Sequence, residues 1–458
     1  MKVIKIGGGC FKNQEAAQDI VELIAQRGRG DIFVLSAFSG ITDLLLSGID
    51  LALEDEEEIF PVVAELSKRH LAFARRLIVT DAELAGQEEI ILSTIKKIER
   101  YYFGINFTRE ATPRMRNILA SYGERLSASI VTAALNSRGR TALCLFPHKV
   151  GIITDGKYSD ATARLKKTAE NLAPAVTGPA ANGDIIFMPG FYGISEAGEI
   201  TTFGRGGSDY SAAVVAAAVR ADLLEIWKDT EGFMTADPDN IDRPKLIPRL
   251  NYMEAAELAY TGAGILHPRT IEPVRKAKID IAIKNTYNPD ARGSLITRAG
   301  RRTRSVIKSV SYTRDIAVLK IHASGIGARP GILSTITESL ASRSINIKSV
   351  ITSQTCIGLL LAEKDIDPAQ GAIQKIKPRP YRRTEKNRTV ALVSIVGEGL
   401  HHCKGIAAKC FTAVSGADVN IEMISFGPSN AALYFLVNED DLDKTITALH
   451  AIFFETAP

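Results

Sequence analysis

Several residue types are scarce in this sequence of 458 residues, and their scarcity excludes whole classes of protein. The five cysteines are odd in number and form no paired CxxC spacing, which argues against both a zinc cage and a disulfide framework. No apolar run approaches the roughly 20 residues that span a bilayer, and the first residues resemble a strand rather than a signal peptide. We therefore expect a cytoplasmic protein with reduced thiols and no membrane partner.

The sequence also has little excess of either positive or negative charge. The chain has 56 basic and 52 acidic residues, a net charge of +4, and no basic block beyond short runs such as Arg301, Arg302 and Arg304. Nucleic acid is therefore not the favoured partner. The length exceeds the roughly 250 to 300 residues at which a single core stops growing, so two or three domains are expected.

The first half of the chain alternates short β-branched runs with longer helical patterns. This rhythm predicts an α/β domain over residues 1–300, with three layers and a mainly parallel central sheet. The predicted strands begin near residues 2, 31, 141, 184 and 222, and the predicted helices cover 14–26, 54–102, 116–138 and 208–220.

The rest of the chain contains one pattern twice. The order strand, helix, strand, strand, helix occurs over residues 311–386 and again over 387–458, which predicts two similar α+β ferredoxin-like modules. The second copy ends before the last strand that the pattern requires. We predict that a strand from 304–310 completes it.

Glycines follow the first strand at Gly7, Gly8 and Gly9, with Lys5 two residues before them. Backbone N–H groups in such a turn can approach a phosphate, and the lysine adds a positive charge. A plain strand-to-helix turn explains the same residues equally well.

The segment FGRGGSDYSAA places two glycines before a buried helix that begins near Ser208. The helix dipole favours an anion there, and Arg205 can hold a carboxylate through two parallel hydrogen bonds. Asp209 would serve a cation such as an amino group. The alternative is that Ser208 or Asp209 only caps the helix.

Two further segments fit the same ligand. SGITD offers Ser39 and the hydroxyl of Thr42, and SYGERLSAS offers Glu124 and Arg125, although a surface ion pair would explain the last two as well.

A strand then leads into a loop rich in turn residues, with Asp229, Glu231 and Gly232. Such a loop can hold a nucleotide base and ribose and help to place magnesium, or it can simply be a turn cluster. Trp227 is interpreted as a core residue and His267 as a packing residue at a helix start.

Together these motifs resemble the aspartate kinase family over nearly the whole chain: KIGGGCF, GITD, SYGERLSA, GFYG, GRGGSDYSAA, TADP, LHPRT and KNTYNP, followed by two ACT-type modules. The resemblance implies ATP-dependent phosphorylation of the aspartate side chain to β-aspartyl phosphate, the first step towards lysine, threonine and methionine. It implies that Ser39, Thr42, Glu124, Arg125, Arg205, Ser208 and Asp209 bind aspartate. Lys5, Gly7, Gly8, Gly9, Lys228, Asp229, Gly232 and Met234 would serve ATP and Mg²⁺, and Lys5, Arg205 and Asp209 would be catalytic.

The sequence departs from the family mainly on the nucleotide side, at Gly9, Cys10, Lys228, Met234, Asp239 and Gly264. Relatives usually carry lysine where Gly264 stands, so we hypothesise that Lys228 supplies the missing charge. Two alternatives remain open. Beside the aspartate kinase interpretation, the first alternative is a kinase for a related acidic amino acid in a specialised pathway of the ectoine type, and the second is a non-catalytic amino-acid sensor.

The resemblance also implies regulation by an amino acid bound at the ACT modules of a homodimer or larger homo-oligomer. The segments 324–333 and 345–354 are the expected effector walls. Lys348 and Gln354 stand where lysine-sensing relatives tend to carry acids, which favours threonine over lysine as the effector.

Overall fold

The computed structural model describes residues 1–262, 264–299, 306–326 and 329–455, which form two compact units. The first unit contains residues 1–233, 248–256 and 264–301, and the second contains 234–247, 257–263 and 302–458. The predicted domain of residues 1–300 is therefore interrupted twice, because two of its segments group with the C-terminal residues. No helix in the described part of the chain is both long and apolar enough to cross a membrane.

The first unit is built on a mainly parallel sheet, as the alternating pattern predicted. Its eight strands run in the order β3-β4-β2-β1-β7-β9-β10-β8, and β10 lies antiparallel to β9. A separate hairpin joins β5 to β6. The strands are β1 Lys2–Ile6, β2 Ile32–Leu35, β3 Ala142–Cys144, β4 Ile185–Pro189, β5 Tyr192–Ile194, β6 Ile200–Thr202, β7 Leu223–Lys228, β8 Arg249–Asn251, β9 Ile281–Asn285 and β10 Ser294–Thr297.

The helices accompanying this sheet begin at recognisable signals. Asn13 caps the first helix by accepting a hydrogen bond from the backbone N–H of Ala16 at 2.9 Å, and Thr112 caps the fifth, where Pro113 is its first residue. The helices are α1 Gln14–Arg27, α2 Ile41–Glu54, α3 Ile59–Leu77, α4 Asp81–Thr108, α5 Pro113–Asn136, α6 Pro147–Val150, α7 Leu165–Asn182, α8 Gly207–Val219, α9 Tyr252–Tyr260 and α10 Ile271–Ala277.

The helical region predicted over 54–102 contains two helices, α3 and α4, because the chain breaks at residues 78–80, and a break at 55–58 separates α3 from the end of α2 at Glu54. Helix α8 is buried along almost its whole length, as its alanine- and valine-rich sequence indicated, and packs against β1, α7 and α10. Trp227 is buried in the hydrophobic core of this unit, as predicted.

The second unit contains two four-stranded antiparallel sheets, in the orders β13-β14-β12-β15 and β11-β16-β18-β17. The strands are β11 Ser309–Thr313, β12 Ala317–His322, β13 Ser349–Thr352, β14 Cys356–Leu361, β15 Arg383–Asn387, β16 Val390–Val396, β17 Ile421–Phe426 and β18 Ala432–Asn438. The helices are α11 Ile332–Ala341, α12 Ile366–Gln374, α13 Ile406–Gly416 and α14 Leu442–His450.

A strand from the linker region does pair with the second sheet. It is β11, which lies antiparallel to β16, so it begins later than the predicted 304–310 and shares only Ser309 and Val310 with that range. Residues 304 and 305 lie outside the described residues. On its other side, the backbone N–H of Val310 donates to the carbonyl oxygen of Thr235 at 2.8 Å, so the segment 234–247 covers this strand.

Turns of 3₁₀ or π geometry complete the chain, at Gly8–Phe11, Pro268–Thr270, Glu363–Asp365, Leu400–His402, Glu439–Asp441 and Ala451–Glu455.

Candidate active site

A cavity of about 630 Å³ opens in the first unit where β2 ends and where α2 and α8 begin. Its size is within the range of small-molecule sites. Lys5 and Arg205 line the same cavity rather than separate ones, which the predicted site required. The lining residues are Lys5, Ser36, Thr42, Asp43, Leu46, Arg116, Asn117, Ala120, Glu124, Ser159, Phe191, Thr202, Gly204, Arg205, Gly206, Gly207, Ser208 and Asp209.

A buried charge cluster forms one side of this cavity. The ammonium nitrogen of Lys5 lies 2.6 Å from Oδ1 of Asp209, and that of Lys228 lies 3.6 Å from Oδ2. The side chains of Lys5 and Asp209 are each only 7% exposed. Burial alone would raise the pKa of Asp209, but the two ammonium groups outweigh it and hold this pKa below its usual value. Burial lowers the pKa of Lys228, and Asp209 opposes that shift.

This cluster changes the role expected for Asp209. Because two cations already surround its carboxylate, Asp209 is poorly placed to receive an amino group from a substrate. Two ammonium groups and one carboxylate leave a net positive charge beside the cavity, which favours an anion.

Glu124 is the acid with room for a cation. It is buried in α5, and its Oε2 has no hydrogen-bond partner among the residues described. Burial raises the pKa of this carboxyl group to about 8, opposed in part by backbone hydrogen bonds and by Lys5 and Ser208. A ligand ammonium group next to Glu124 would satisfy Oε2 and favour the ionised carboxylate.

The start of α8 requires glycine. Gly206, the residue before the helix, has φ 70°, and a Cβ there would lie 2.4 Å from Cβ of His267. His267 thus packs against the loop, as the sequence indicated, and it caps the turn that follows by accepting a hydrogen bond from the N–H of Arg269. The first turn of α8 therefore presents Ser208 to the cavity while Arg205 remains exposed at its edge.

Asn117, which the sequence did not single out, holds this loop region in place. Its Oδ1 accepts hydrogen bonds from the backbone N–H groups of Ser159 and Thr202 at 3.0 and 2.6 Å, and from the Thr202 hydroxyl at 2.9 Å. Its Nδ2 donates to the Ser159 hydroxyl at 3.0 Å and to the carbonyl oxygen of Pro113 at 2.8 Å. One amide therefore joins three segments of the cavity wall.

Arg269 is a second supporting residue. Its guanidinium donates to the carbonyl oxygens of Phe203 and Ala161 at 2.9 and 2.7 Å, and pairs with Asp160 at 2.7 Å. The LHPRT motif contained this residue, but the sequence could not show that it would reach the loop leading into α8.

The glycine turn lies beside the charge cluster. A Cβ at Gly8 would approach the Ala37 carbonyl oxygen to 2.9 Å, so this close passage requires glycine. A Cβ at Gly9 would lie 3.4 Å from Oδ2 of Asp229, which brings that carboxylate next to the turn. The N–H of Gly7 donates to the carbonyl oxygen of Trp227 at 3.2 Å and is therefore already used.

Lys228 reaches the position at which the sequence lacks a lysine. Its ammonium group donates to the backbone carbonyl of Gly264 at 3.2 Å. Gly232 has φ 138° in the loop that follows, and Met234 is counted with the second unit. Within the described part of the chain, no three metal-binding side chains come together as a ready-made metal site.

Two predicted substrate residues do not line the cavity. Ser39 is exposed, and the guanidinium of Arg125 stacks over the ring of Tyr122 at 4.4 Å. Ser36, Asp43 and Arg116 line it instead. Asp43 belongs to the SGITD segment, from which only Ser39 and Thr42 were selected, whereas Ser36 and Arg116 lie at an ordinary strand end and helix turn and carried no distinct signal.

An α/β fold with a buried cationic cluster beside a small cavity suits a protein that binds small anionic ligands. The model for the amino acid kinase family matches residues 1–285, which places the chain among the small-molecule kinases. The ACT domain model matches residues 393–453. Aspartokinase 1 of Arabidopsis thaliana, a chloroplastic protein, is 30% identical over 465 residues, covering 99% of this chain and 80% of the relative. The chain therefore belongs to the aspartokinases of the amino acid kinase family.

Solved structures agree with this assignment. Aspartokinase III of E. coli in complex with aspartate and ADP, an R-state structure, superposes with a TM-score of 0.86 at 26% identity and covers 99% of this chain and 100% of that one. The same enzyme with lysine and aspartate, a T-state structure, gives 0.79 at 27% identity and covers 99% of both chains.

Proposed function

We propose that this chain transfers the γ-phosphoryl group of ATP to the side-chain carboxylate of aspartate. The observation that carries this proposal is that one cavity is lined by Lys5, Asp209, Glu124 and Arg205. Lys228 lies behind it, paired with Asp209. A dicarboxylic amino acid has complementary groups: an ammonium for Glu124, an α-carboxylate for Arg205, and a second carboxylate directed towards the cationic cluster.

The reaction needs no general base. A carboxylic acid of pKa about 3.9 is ionised at neutral pH, so the side-chain oxygen can attack the γ-phosphorus directly. The new O–P bond forms as the bond from the γ-phosphorus to the β,γ-bridging oxygen breaks, and ADP leaves with that electron pair. The product is the acyl phosphate β-aspartyl phosphate.

The residues of this chain contribute positioning and charge. Lys5 and Lys228 would neutralise charge that develops on the transferring group, while Asp209 fixes both ammonium groups. Thr42 and Ser208 would hold the substrate from the first turns of α2 and α8. The glycine turn at Gly8 and Gly9 would lie along the phosphates, with Asp229 and Gly232 on the nucleotide side.

Magnesium is part of the proposal. Mg²⁺ keeps several waters and is commonly held by substrate phosphates with one or two carboxylates, so the absence of a preformed cluster of protein ligands in the described chain is compatible with it. Asp229, next to the glycine turn, is the carboxylate that fits. An ion held there would supply positive charge that neutralises the phosphates.

A hydroxylamine trapping assay tests this function, because hydroxylamine converts an acyl phosphate into a coloured hydroxamate. Full-length chain with ATP, magnesium and aspartate should produce hydroxamate, and omission of any one of these components should abolish it. Product only with another acidic amino acid would replace aspartate as the substrate. No product with any acidic amino acid would leave the sensor hypothesis.

We also infer that the C-terminal modules make the kinase responsive to an amino acid, with threonine favoured over lysine. A homodimeric or larger assembly and a cytoplasmic location stay predictions, as do the domain limits 1–300, 311–386 and 387–458. Of the expected effector walls, residues 327 and 328 lie outside the described residues.

A further inference from the structure

The KNTYNP motif contains the end of β9 and the turn after it, and the proposed reaction assigns it no role. Strand β9 lies parallel to β7, with Asn285 opposite Lys228 in the register. Strand β7 in turn lies parallel to β1, which leads into the glycine turn. The carboxyl ends of these three strands therefore meet at one edge of the sheet, where ligands of open α/β sheets commonly bind.

Thr286, the residue after β9, is buried at this edge and contacts both neighbouring strand ends. Its backbone N–H donates to the carbonyl oxygen of Lys228 at 2.8 Å. Its hydroxyl lies 2.8 Å from the same carbonyl oxygen and 2.9 Å from Sγ of Cys10, and can donate to either. The backbone of Lys228 is thereby fixed by a residue that also touches the turn containing Gly8 and Gly9.

Cys10 completes the connection from the side of the glycine turn. It is buried, and its thiol donates to the carbonyl oxygen of Trp227 at 3.4 Å. Burial raises the pKa of this thiol, so it keeps its proton at neutral pH and can donate. The N–H of Gly7 donates to the same carbonyl oxygen at 3.2 Å. Cys10 therefore joins the glycine turn to the end of β7, and Thr286 joins both to the end of β9.

Asn285 holds the loop that follows β7 from the same strand end. Its Nδ2 donates to Oε1 of Glu231 at 2.8 Å, and its Oδ1 accepts a hydrogen bond from the N–H of Tyr287 at 2.9 Å. Glu231 lies between Asp229 and Gly232, the two loop residues assigned to the nucleotide side. Two adjacent side chains thus support the two segments that would enclose the phosphates.

Lys228 depends on this support because its ammonium group meets two partners at once. It lies 3.6 Å from Oδ2 of Asp209 and 3.2 Å from the carbonyl oxygen of Gly264, and the side chain is only 18% exposed. A misplacement of about 1 Å in a catalytic site can cost about a hundredfold in rate. The carbonyl that Thr286 holds belongs to Lys228 itself, so loss of the hydroxyl acts directly on the backbone of this lysine.

We propose that Thr286 is a positioning residue for the nucleotide. Through Cys10 and the carbonyl of Lys228, it fixes the ammonium group of Lys228 relative to the glycine turn, and it acts without touching the reacting atoms. Asn285 fixes the neighbouring loop in the same way through Glu231. This inference rests on the proposed kinase function and names the residues that hold its nucleotide side.

Steady-state kinetics on the full chain test this role. Thr286→Val keeps the shape of the side chain and removes one hydrogen bond, so it should raise the KM for ATP about three- to tenfold and leave the KM for aspartate close to the wild-type value. Thr286→Ser retains the hydroxyl and should restore the KM for ATP. Thr297→Val is the matched control, because Thr297 is also buried and its hydroxyl donates to the carbonyl oxygen of Ala299 at 2.7 Å; both constants should be unchanged.

Variants of Cys10 provide a second test if Thr286→Val folds poorly. Cys10→Ala should raise the KM for ATP in the same direction, and Cys10→Ser should resemble the wild type because a hydroxyl can make both contacts. A purely structural role would lower stability without separating the two KM values. A wild-type KM for ATP in both Thr286→Val and Cys10→Ala, or equal increases in both KM values, would overturn the proposal.

Nucleotide binding separates this role from the proposed reaction. Calorimetry with Mg²⁺ and adenylyl imidodiphosphate needs no turnover, and Thr286→Val should bind this analogue about three- to tenfold more weakly than the wild type or Thr297→Val. If the wild type binds the analogue but forms no hydroxamate, the kinase function fails, and weaker binding by Thr286→Val still supports the positioning role. If the wild type forms hydroxamate and Thr286→Val binds the analogue equally well, the positioning role alone fails. A wild type that binds no nucleotide overturns both.

Discussion

Lys228 joins two features of the candidate active site, because its ammonium group lies 3.6 Å from Asp209 and donates to the carbonyl of Gly264. We predict that Lys228→Ala raises the apparent KM for ATP about tenfold or more, or abolishes turnover, since one charge-assisted contact to phosphate is lost. Steady-state kinetics with ATP and aspartate varied separately would measure it. The KM for aspartate should change less.

Two further variants make this test specific. Lys228→Arg keeps the charge and should recover part of the activity. Lys276→Ala removes an exposed lysine that pairs with Glu272 on the surface of α10, and should leave both constants unchanged. If Lys228→Ala has wild-type kinetics, Lys228 has no part in nucleotide binding.

Glu124 should make the stability of the ligand-free chain depend on pH. Burial raises the pKa of its carboxyl group to about 8 in the folded chain, against an ordinary value of 4.5. Between these values the folded state holds a proton that the unfolded state has released, so stability is greatest below this window and falls as pH rises through it. The loss is at most about 1.4 kcal/mol per pH unit for one group.

Glu124→Gln remains neutral and should lack this component. Urea unfolding over the same pH window should show the free energy of unfolding of Glu124→Gln rising relative to that of the wild type as pH rises. Glu56→Gln, at an exposed position, is the control and should follow the wild type. Parallel profiles for wild type and Glu124→Gln would contradict a raised pKa.

The sequence could predict those features of the site that depend only on neighbouring residues in the chain. Glycines before a buried alanine-rich helix predicted the loop and helix start at Ser208, and that is where the structure has them. It could not show that Lys5, Asp209 and Lys228 meet, because three different elements bring them together. Nor could it show that Asp209 would be enclosed by lysines while Glu124 remains without a partner for Oε2, since burial and pairing are tertiary properties.

At the scale of elements, α5 holds the cavity wall through Asn117. We predict that Asn117→Ala destabilises the chain by about 3 kcal/mol or more, because it leaves the buried N–H of Thr202 and other groups without a partner, each costing about 1 to 3 kcal/mol. Thermal or urea denaturation would measure this. Asn171→Ala is the control, since its amide makes one exposed hydrogen bond to Gly151 and should cost well under half as much.

The same substitution should also weaken substrate binding, because Ser159 and Thr202 line the cavity. If Asn117→Ala is as stable as Asn171→Ala, the amide does not hold the wall together.

The repeated pattern predicted the C-terminal strands well, since each module repeats the same local signals. It set the linker strand too early, because Ser309–Thr313 is defined by its pairing with β16 and not by its own sequence.

At the scale of the whole molecule, the chain passes repeatedly from one compact unit to the other. Ala236 and Ile241, within the residues matched by the amino acid kinase model, are buried in a core with Val393 and Phe435 of the second sheet. The predicted boundary at residue 300 follows sequence order, whereas spatial grouping places 234–247 with the C-terminal residues. A destabilising substitution in the segment 234–247 should therefore also destabilise the C-terminal modules.

Hydrogen exchange measured by mass spectrometry can test this grouping. We predict that Ile241→Ala, which leaves a cavity in the second core, accelerates exchange in β16 and β18 and leaves β1 and β2 protected, because compact units open locally. Ile49→Ala, at a buried position in the core of the first unit, should have the reverse effect. Equal acceleration of all four strands in both variants would mean that the chain unfolds as one cooperative unit and not as two.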